Sequence, residues 1–133
     1  MDLTDIARKV FVDDNYARLT GVEIVSVHDG EVVCSLALNE RHRNARGVAM
    51  GGVLFTLADF TAAVAANSET LEELQWVSLD SDIHFLTPAT GDTLKATCRA
   101  LKQGCTTALY QTIIESLDNG KRVAIVETRM IRV

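Results

Sequence analysis

The sequence predicts an α+β fold in which one antiparallel sheet wraps around one long central helix. Three observations lead there. First, from Gly47 to Ala66 the only charged side chain is Asp59, and no Pro interrupts the run. Such a stretch fits a helix of four to five turns, on the order of 24 Å at ~1.5 Å per residue. Apolar side chains lie all round it, which marks an element buried on most faces. Second, the flanking segments alternate apolar and polar residues with period two, as half-buried strands do. Third, Asp29-Gly30 and Asn119-Gly120 are two-residue hairpin signals, and short hairpins impose antiparallel pairing.

Each element follows from local pattern. Ile6, Val10 and Phe11 fall at near-helical spacing behind Thr4, a cap residue, so a short helix is expected before about Leu19. Val22 to Val27 reads as a strand. Asp29-Gly30 turns the chain. In the next strand Val32, Cys34, Leu36 and Leu38 share one strongly apolar face. The polar segment from Asn39 to Arg46 delivers the chain to the central helix, which should start near the Gly51-Gly52 pair. Ser68 to Leu74 is a polar connection. Beyond it Val77, Leu79, Ser81, Ile83 and Phe85 alternate with Ser78, Asp80, Asp82 and His84 as a strand, which Thr87-Pro88 ends. Leu94, Ala96, Cys98 and Ala100 form the apolar face of another strand. Gln103-Gly104 turns, Thr106 to Leu117 is β-rich but alternates less cleanly, and Val123 to Val133 closes the chain. The last four strands are expected in hairpin succession.

Composition bounds the function. The 133 residues suit a single domain, residues 1–133, with room for a core. A formal charge of −5 and an aromatic content of 5% argue against a nucleic-acid surface. The first residues, MDLTDIARKV, contain no apolar h-region, so no signal peptide is expected. The Gly-punctuated helix falls short of the about 20 apolar residues that a bilayer requires, so no membrane association is expected. Cys34, Cys98 and Cys105 are odd in number and lack metal-type spacing, which suits reduced thiols in a cytoplasmic protein. His42 and His84 read as surface or strand histidines. Neither has a carboxylate at ligand spacing, so no metal site is expected.

Particular residues carry a resemblance. Asn44-x-x-Gly47, Met50-Gly51-Gly52, Phe55-Thr56-Leu57-Ala58-Asp59 and Ala66-Asn67-Ser68 form its centre, and Phe85-Leu86-Thr87-Pro88-Ala89 with Gly91-Asp92 forms a second part. Together they resemble the hotdog-fold acyl-CoA thioesterases of the phenylacetate-degradation, PaaI-like type, over most of the chain from about residue 40 onward. The resemblance implies a hotdog fold. It also implies hydrolysis of an acyl-CoA thioester, aryl or medium- to long-chain, to the free acid and CoA without metal or organic cofactor. It assigns Asp59 as base or nucleophile, the backbone N–H of Gly51 as oxyanion donor, and Asn44 as the group positioning water or carbonyl. Met50, Gly52 and Asn67 would line the substrate. The family usually has a His directly before the paired glycines; here Met50 stands there, and Met cannot donate a hydrogen bond. A basic residue near Gly104 is also usual, and Cys105 occupies that turn.

Thioester hydrolysis needs a donor for the developing oxyanion and a base or nucleophile. A helix N-terminus offers free N–H groups and a positive dipole end. Gly51 and Asp59 are eight residues apart, roughly 12 Å along one helix, whereas both must lie about 3 Å from the reacting atoms. Two antiparallel helices across a two-fold axis remove that conflict. The expectation is a homodimer, or a dimer of dimers (homotetramer), with two sites per dimer.

Each residue also has a plainer reading. Asp59 can be a structural acid, the glycines can serve close packing, Asn44 can be a turn residue, Asn67 can end the helix, and Met50 can fill the core. Arg41, Arg43 and Arg46 form the most basic stretch, either a solvated loop or contacts for phosphates. A non-catalytic acyl-CoA-binding or accessory protein is the alternative function. A hydratase is disfavoured, because no His lies between His42 and His84.

Overall fold

The computed structural model describes residues 1–133. An N-terminal arm forms α1 (Thr4–Val10), a 3-10 turn (Phe11–Asp13) and α2 (Asn15–Thr20). The strands β1 (Glu23–His28) and β2 (Glu31–Ala37) follow, then a 3-10 turn (Glu40–His42) and the central helix α3 (Gly51–Ala66). The chain ends in β3 (Trp76–Phe85), β4 (Thr93–Gln103), β5 (Thr107–Ser116) and β6 (Arg122–Arg132). All six strands make one antiparallel sheet in the order β1-β2-β4-β5-β6-β3. The sheet curves round α3, as the helical run and the two hairpins predict.

Local chemistry explains the joints. At the β1–β2 turn Asp29 (φ 50°) and Gly30 (φ 78°) both adopt left-handed backbone, the requirement of a tight twisted hairpin. At the end of α3, Asn67 clasps the start of β3. Its Oδ1 accepts from Trp76 N–H at 2.9 Å, while its Nδ2 donates to Trp76 O at 3.1 Å and to Ala63 O at 2.9 Å. The N-terminal arm is held by Phe11, whose ring meets Phe60 of α3 edge-on at 5.7 Å between centroids. Arg8 adds a bond from its Nε to Ile24 O at 3.0 Å. Thr4 is not the cap of α1. Asp2 Oδ1 accepts both its N–H and its hydroxyl, at 2.9 and 2.6 Å, and Thr4 Oγ1 in turn receives Val27 N–H.

The core lies between α3 and the concave face of the sheet. Leu57, Ala58, Thr61, Ala62 and Val64 are fully enclosed there, against Cys34, Leu36, Leu94, Ala96, Cys98, Ile114 and Met130. Two of these, Ala58 and Ala62, let α3 lie close to the strands, so small residues serve enclosure rather than propensity.

Four features depart from the sequence reading. The β3–β4 link is no hairpin: β3 pairs only with β6, at the sheet edge, and the chain recrosses to the centre through residues 86–92. A bulge between Ser78 and Asp80 reverses the faces of β3. Leu79 is the extra residue, so Ser78, Ser81, Ile83 and Phe85 pair across from concave-face residues of β6 while Val77 turns outward. A similar bulge between Ala100 and Lys102 ends the regular alternation of β4: Ala100 still pairs with buried Tyr110 on the face of Ala96 and Cys98, but it is exposed at the end of that face. Strand β5 alternates cleanly in burial, but two of its inward residues are Thr112 and Ser116, which blurs its hydropathy pattern.

Two predictions follow from this packing. Asn67→Ala leaves Trp76 N–H without its acceptor in the interior, so stability to urea falls by about 2 kcal/mol. Burial pushes the Cys34 and Cys98 thiols up to about 12, so both stay protonated and unreactive at neutral pH. A thiol reagent added to the native protein therefore titrates Cys105 alone, the exposed one, and all three only in denaturant.

Candidate active site

The loop before α3 is built by side chains that bond back to the backbone. Asn39 Oδ1 accepts from Arg41 N–H at 2.9 Å, and His42 Nδ1 accepts from Asn39 N–H at 3.0 Å. With Nδ1 accepting, the proton sits on Nε2, which donates to Thr20 O at 2.6 Å. His42 is therefore a buried latch between the loop and α2, not a surface or strand histidine. Arg43 is no free loop cation either. It donates to Gly47 O at 3.3 Å and Gly91 O at 3.2 Å and pairs with Asp92 at 3.5 Å. Asn44 is exposed; its Oδ1 accepts from Arg46 N–H (2.9 Å) and Val48 N–H (3.4 Å). The amide oxygen thus shapes the turn, and Gly47 completes it with φ 81°.

This turn presents the start of α3. Met50 holds extended backbone (ψ 143°) and donates its N–H to His42 O at 2.8 Å. The next two N–H groups, Gly51 and Gly52, donate to no protein acceptor, and the first turn carries neither a capping side chain nor an acid. Those are the unpaired donors that every helix start leaves. The 86–92 crossover passes beside them and is tied by Ala49 N–H to Ala89 O at 3.1 Å. Between loop, helix start and crossover opens a cleft of about 460 Å³, lined by Asn44, Arg46, Val48, Gly51, Leu54 and residues 85–89. Phe85 lies against Gly51 so closely that a Cβ there would sit 2.9 Å from its Cζ. Glycine at 51 is what admits the ring.

Asp59 lies two turns along α3, outside that cleft. It is half-buried. Ser78 Oγ of β3 donates to its Oδ1 at 2.8 Å, and Oδ2 has no protein partner. Ser78 is the partner of Asp59 that sequence reasoning passed over. The only signal was its place on a strand, and the bulge at Leu79 decides which way it faces.

Burial of α3 is incomplete, contrary to the all-round enclosure that its hydropathy predicts. Gly52 and Phe55 are exposed, and Thr56, Asp59 and Ala63 are half-buried, so they form one stripe along the helix. Met50 is also exposed rather than filling the core. The expected substrate-lining role of Asn67 does not match its position. It is 2% exposed, and its amide is consumed by the α3–β3 joint. No three His, Cys, Asp or Glu side chains converge as a metal site, and no helix is long and apolar enough to cross a membrane.

An apolar helix start with two free N–H groups, a carboxylate further along the same helix, and a sheet curved round both can be compared with known proteins. The profile of the thioesterase superfamily matches residues 46–123. The chain belongs to the thioesterase superfamily. Among curated relatives, acyl-coenzyme A thioesterase PaaI of Escherichia coli K12 is 34% identical over 105 residues, which is 78% of this chain and 73% of PaaI. Acyl-coenzyme A thioesterase 13 of Homo sapiens is 31% identical over 124 residues, 92% of this chain and 88% of its own. The solved E. coli PaaI protein, from the phenylacetic acid degradation operon, superposes with a TM-score of 0.87 at 29% identity, covering 98% of this chain and 96% of that one. A hypothetical thioesterase of Streptococcus pneumoniae TIGR4, solved with coenzyme A, superposes with a TM-score of 0.83 at 28% identity over 95% and 96%. The fold is the hotdog fold of that superfamily, and the chain is a thioesterase of the PaaI-like type.

For such a thioesterase the Ser78 bond to Asp59 has a measurable consequence. Ser78→Ala removes the one protein hydrogen bond to the Asp59 carboxylate; with that carboxylate taking part in the chemistry, thioester turnover falls by roughly 10- to 100-fold, and without such a part it is unchanged. Circular dichroism should remain that of the parent protein.

Proposed function

We propose that the protein hydrolyses an acyl-CoA thioester to free acid and CoA at a site shared by two copies of the chain. The observation that carries this reading is the separation of parts on α3. The free donors lie at Gly51 and Gly52 and the carboxylate lies at Asp59, roughly 12 Å away at helical rise. One copy alone does not bring both within reach of one carbonyl.

The surface around Asp59 favours a second copy as the missing half. The exposed stripe of α3 borders β3, whose outer edge pairs with nothing and whose Val77, Leu79 and Phe85 are all more than 40% exposed. A ten-residue edge strand with open backbone groups invites pairing. Antiparallel pairing of two β3 edges runs the two helices in opposite directions. Asp59 of one copy then approaches Gly51 of the other, and symmetry makes two such sites.

In this arrangement the acyl carbonyl oxygen points at the Gly51 N–H, which gains strength as negative charge develops on that oxygen. The dipole of α3 adds to it. Asp59 Oδ2, the oxygen that Ser78 leaves free, either takes a proton from attacking water or attacks the carbonyl carbon itself. Collapse of the tetrahedral intermediate expels the CoA sulfur, which takes the proton that Asp59 drew from water. Where Asp59 attacks directly, collapse leaves an acyl–Asp59 anhydride, and a water then opens it to the free acid and supplies that proton. Asn44 keeps an unused amide N–H₂ at the cleft and can orient the carbonyl or the water, while Met50 and Gly52 are exposed at the helix start and would meet the substrate outside that cleft. The names of the PaaI and thioesterase 13 relatives support CoA as the thiol half.

Release of free thiol from aryl- and fatty-acyl-CoA esters tests the activity. Asp59→Asn should lower kcat by at least about 100-fold. Mixing the Asp59→Asn and Gly51→Ala proteins, each inactive alone, tests the shared site. Random exchange of subunits should restore about a quarter of wild-type activity, because half the dimers are mixed and each holds one intact site. No recovery on mixing would mean that both groups act within one chain.

A further inference from the structure

The cleft beside Gly51 has apolar walls, formed by Val48, Leu54, Phe85, Leu86 and Pro88, and a single charged residue, Arg46. Three arginines lie in this loop, and their surroundings separate them. Arg43 is tied to Gly47, Gly91 and Asp92. Arg41 does not line the cleft. Arg46 lines it, is exposed, and makes neither an ion pair nor a side-chain hydrogen bond. Its backbone is nevertheless fixed, because its N–H is held by Asn44 Oδ1 at 2.9 Å. The result is a rigidly based, unpaired guanidinium at the mouth of an uncharged cleft, on a chain whose net charge is −5.

We propose that Arg46 reads an anion on the substrate, a phosphate of the thiol half, and so selects esters of CoA over esters of phosphate-free thiols. The apolar walls offer no partner for a charge, so an anionic substrate must leave its charge at the mouth. The guanidinium fork suits a phosphate oxygen pair. An acidic protein repels CoA at long range, and one local cation at the cleft opposes that repulsion where it matters. This inference rests on the thioesterase reading above and names the feature by which that site recognises its leaving group.

The test compares one acyl group on CoA and on pantetheine, which lacks the nucleotide and its phosphates. Arg46→Ala should lower kcat/KM for the CoA ester roughly 10-fold, through KM with kcat unchanged, as expected for binding shared by ground and transition states. The pantetheine ester should be unaffected. Arg46→Lys should recover part of the loss, since it keeps the charge without the fork. The wild-type KM for the CoA ester should rise with salt more steeply than that of Arg46→Ala. Equal losses on both esters would overturn the proposal and make Arg46 a structural residue. So would no loss on either. A loss confined to acyl groups with a distal carboxylate, whatever their thiol, would move the anion to the acyl side and also overturn it. If no ester is hydrolysed by the wild type, the activity reading fails by itself. Calorimetric binding of CoA and of pantetheine to wild type and Arg46→Ala then decides Arg46 separately.

Discussion

The structure depends on how far a sheet can enclose a helix. Small and apolar residues let α3 sink into the concave face, where Ala58, Ala62 and Val64 are sealed from solvent. Six strands cover only part of its circumference. The stripe from Gly52 to Ala63 stays open, and Asp59 stands in it. A carboxylate at Ala58 or Ala62 would be desolvated at a cost of several kcal/mol. At position 59 it keeps one oxygen on Ser78 and the other free. Partial enclosure therefore makes a charged group tolerable on this helix.

The same geometry explains the helix start. An N-terminus buried without partners is costly, yet Gly51 and Gly52 leave their N–H groups open beside a cleft. The surrounding loop carries the cost. His42 latches it to α2, Arg43 ties it to the crossover, and Asn44 closes its turn. Of the charged and polar side chains in that loop that border the cleft, Arg46 alone is not committed to holding shape. The loop thereby holds the two open N–H groups in one fixed place.

Much of this was legible from residue order. The apolar run with its single acid located α3. The Asp-Gly and Asn-Gly dipeptides located two hairpins, and the residues around Met50-Gly51-Gly52 and Asp59 identified the family. Ser78 was not legible, because period-two alternation assigned it to the opposite face from Ser81, and only the bulge at Leu79 corrects that. His42 looked like a surface residue because its two partners, Asn39 N–H and Thr20 O, are backbone groups that no side-chain pattern reveals. Asn67 fell within the family motif, but its contacts are to the backbone of Ala63 and Trp76.

The chain by itself determined what depends on neighbours in sequence: periodicity, turn chemistry, helix length, and the eight-residue interval between donor and acid. Tertiary structure decided the strand order, which sends β3 to the edge, the stripe of α3 left uncovered, and which of three arginines lines the cleft unpaired. These depend on contacts between residues 19 to 48 positions apart, as from Thr20 to His42, Asp59 to Ser78 and Arg43 to Gly91. Local propensity carries no information at that range, because the energy that settles such contacts exists only once the sheet has closed on the helix.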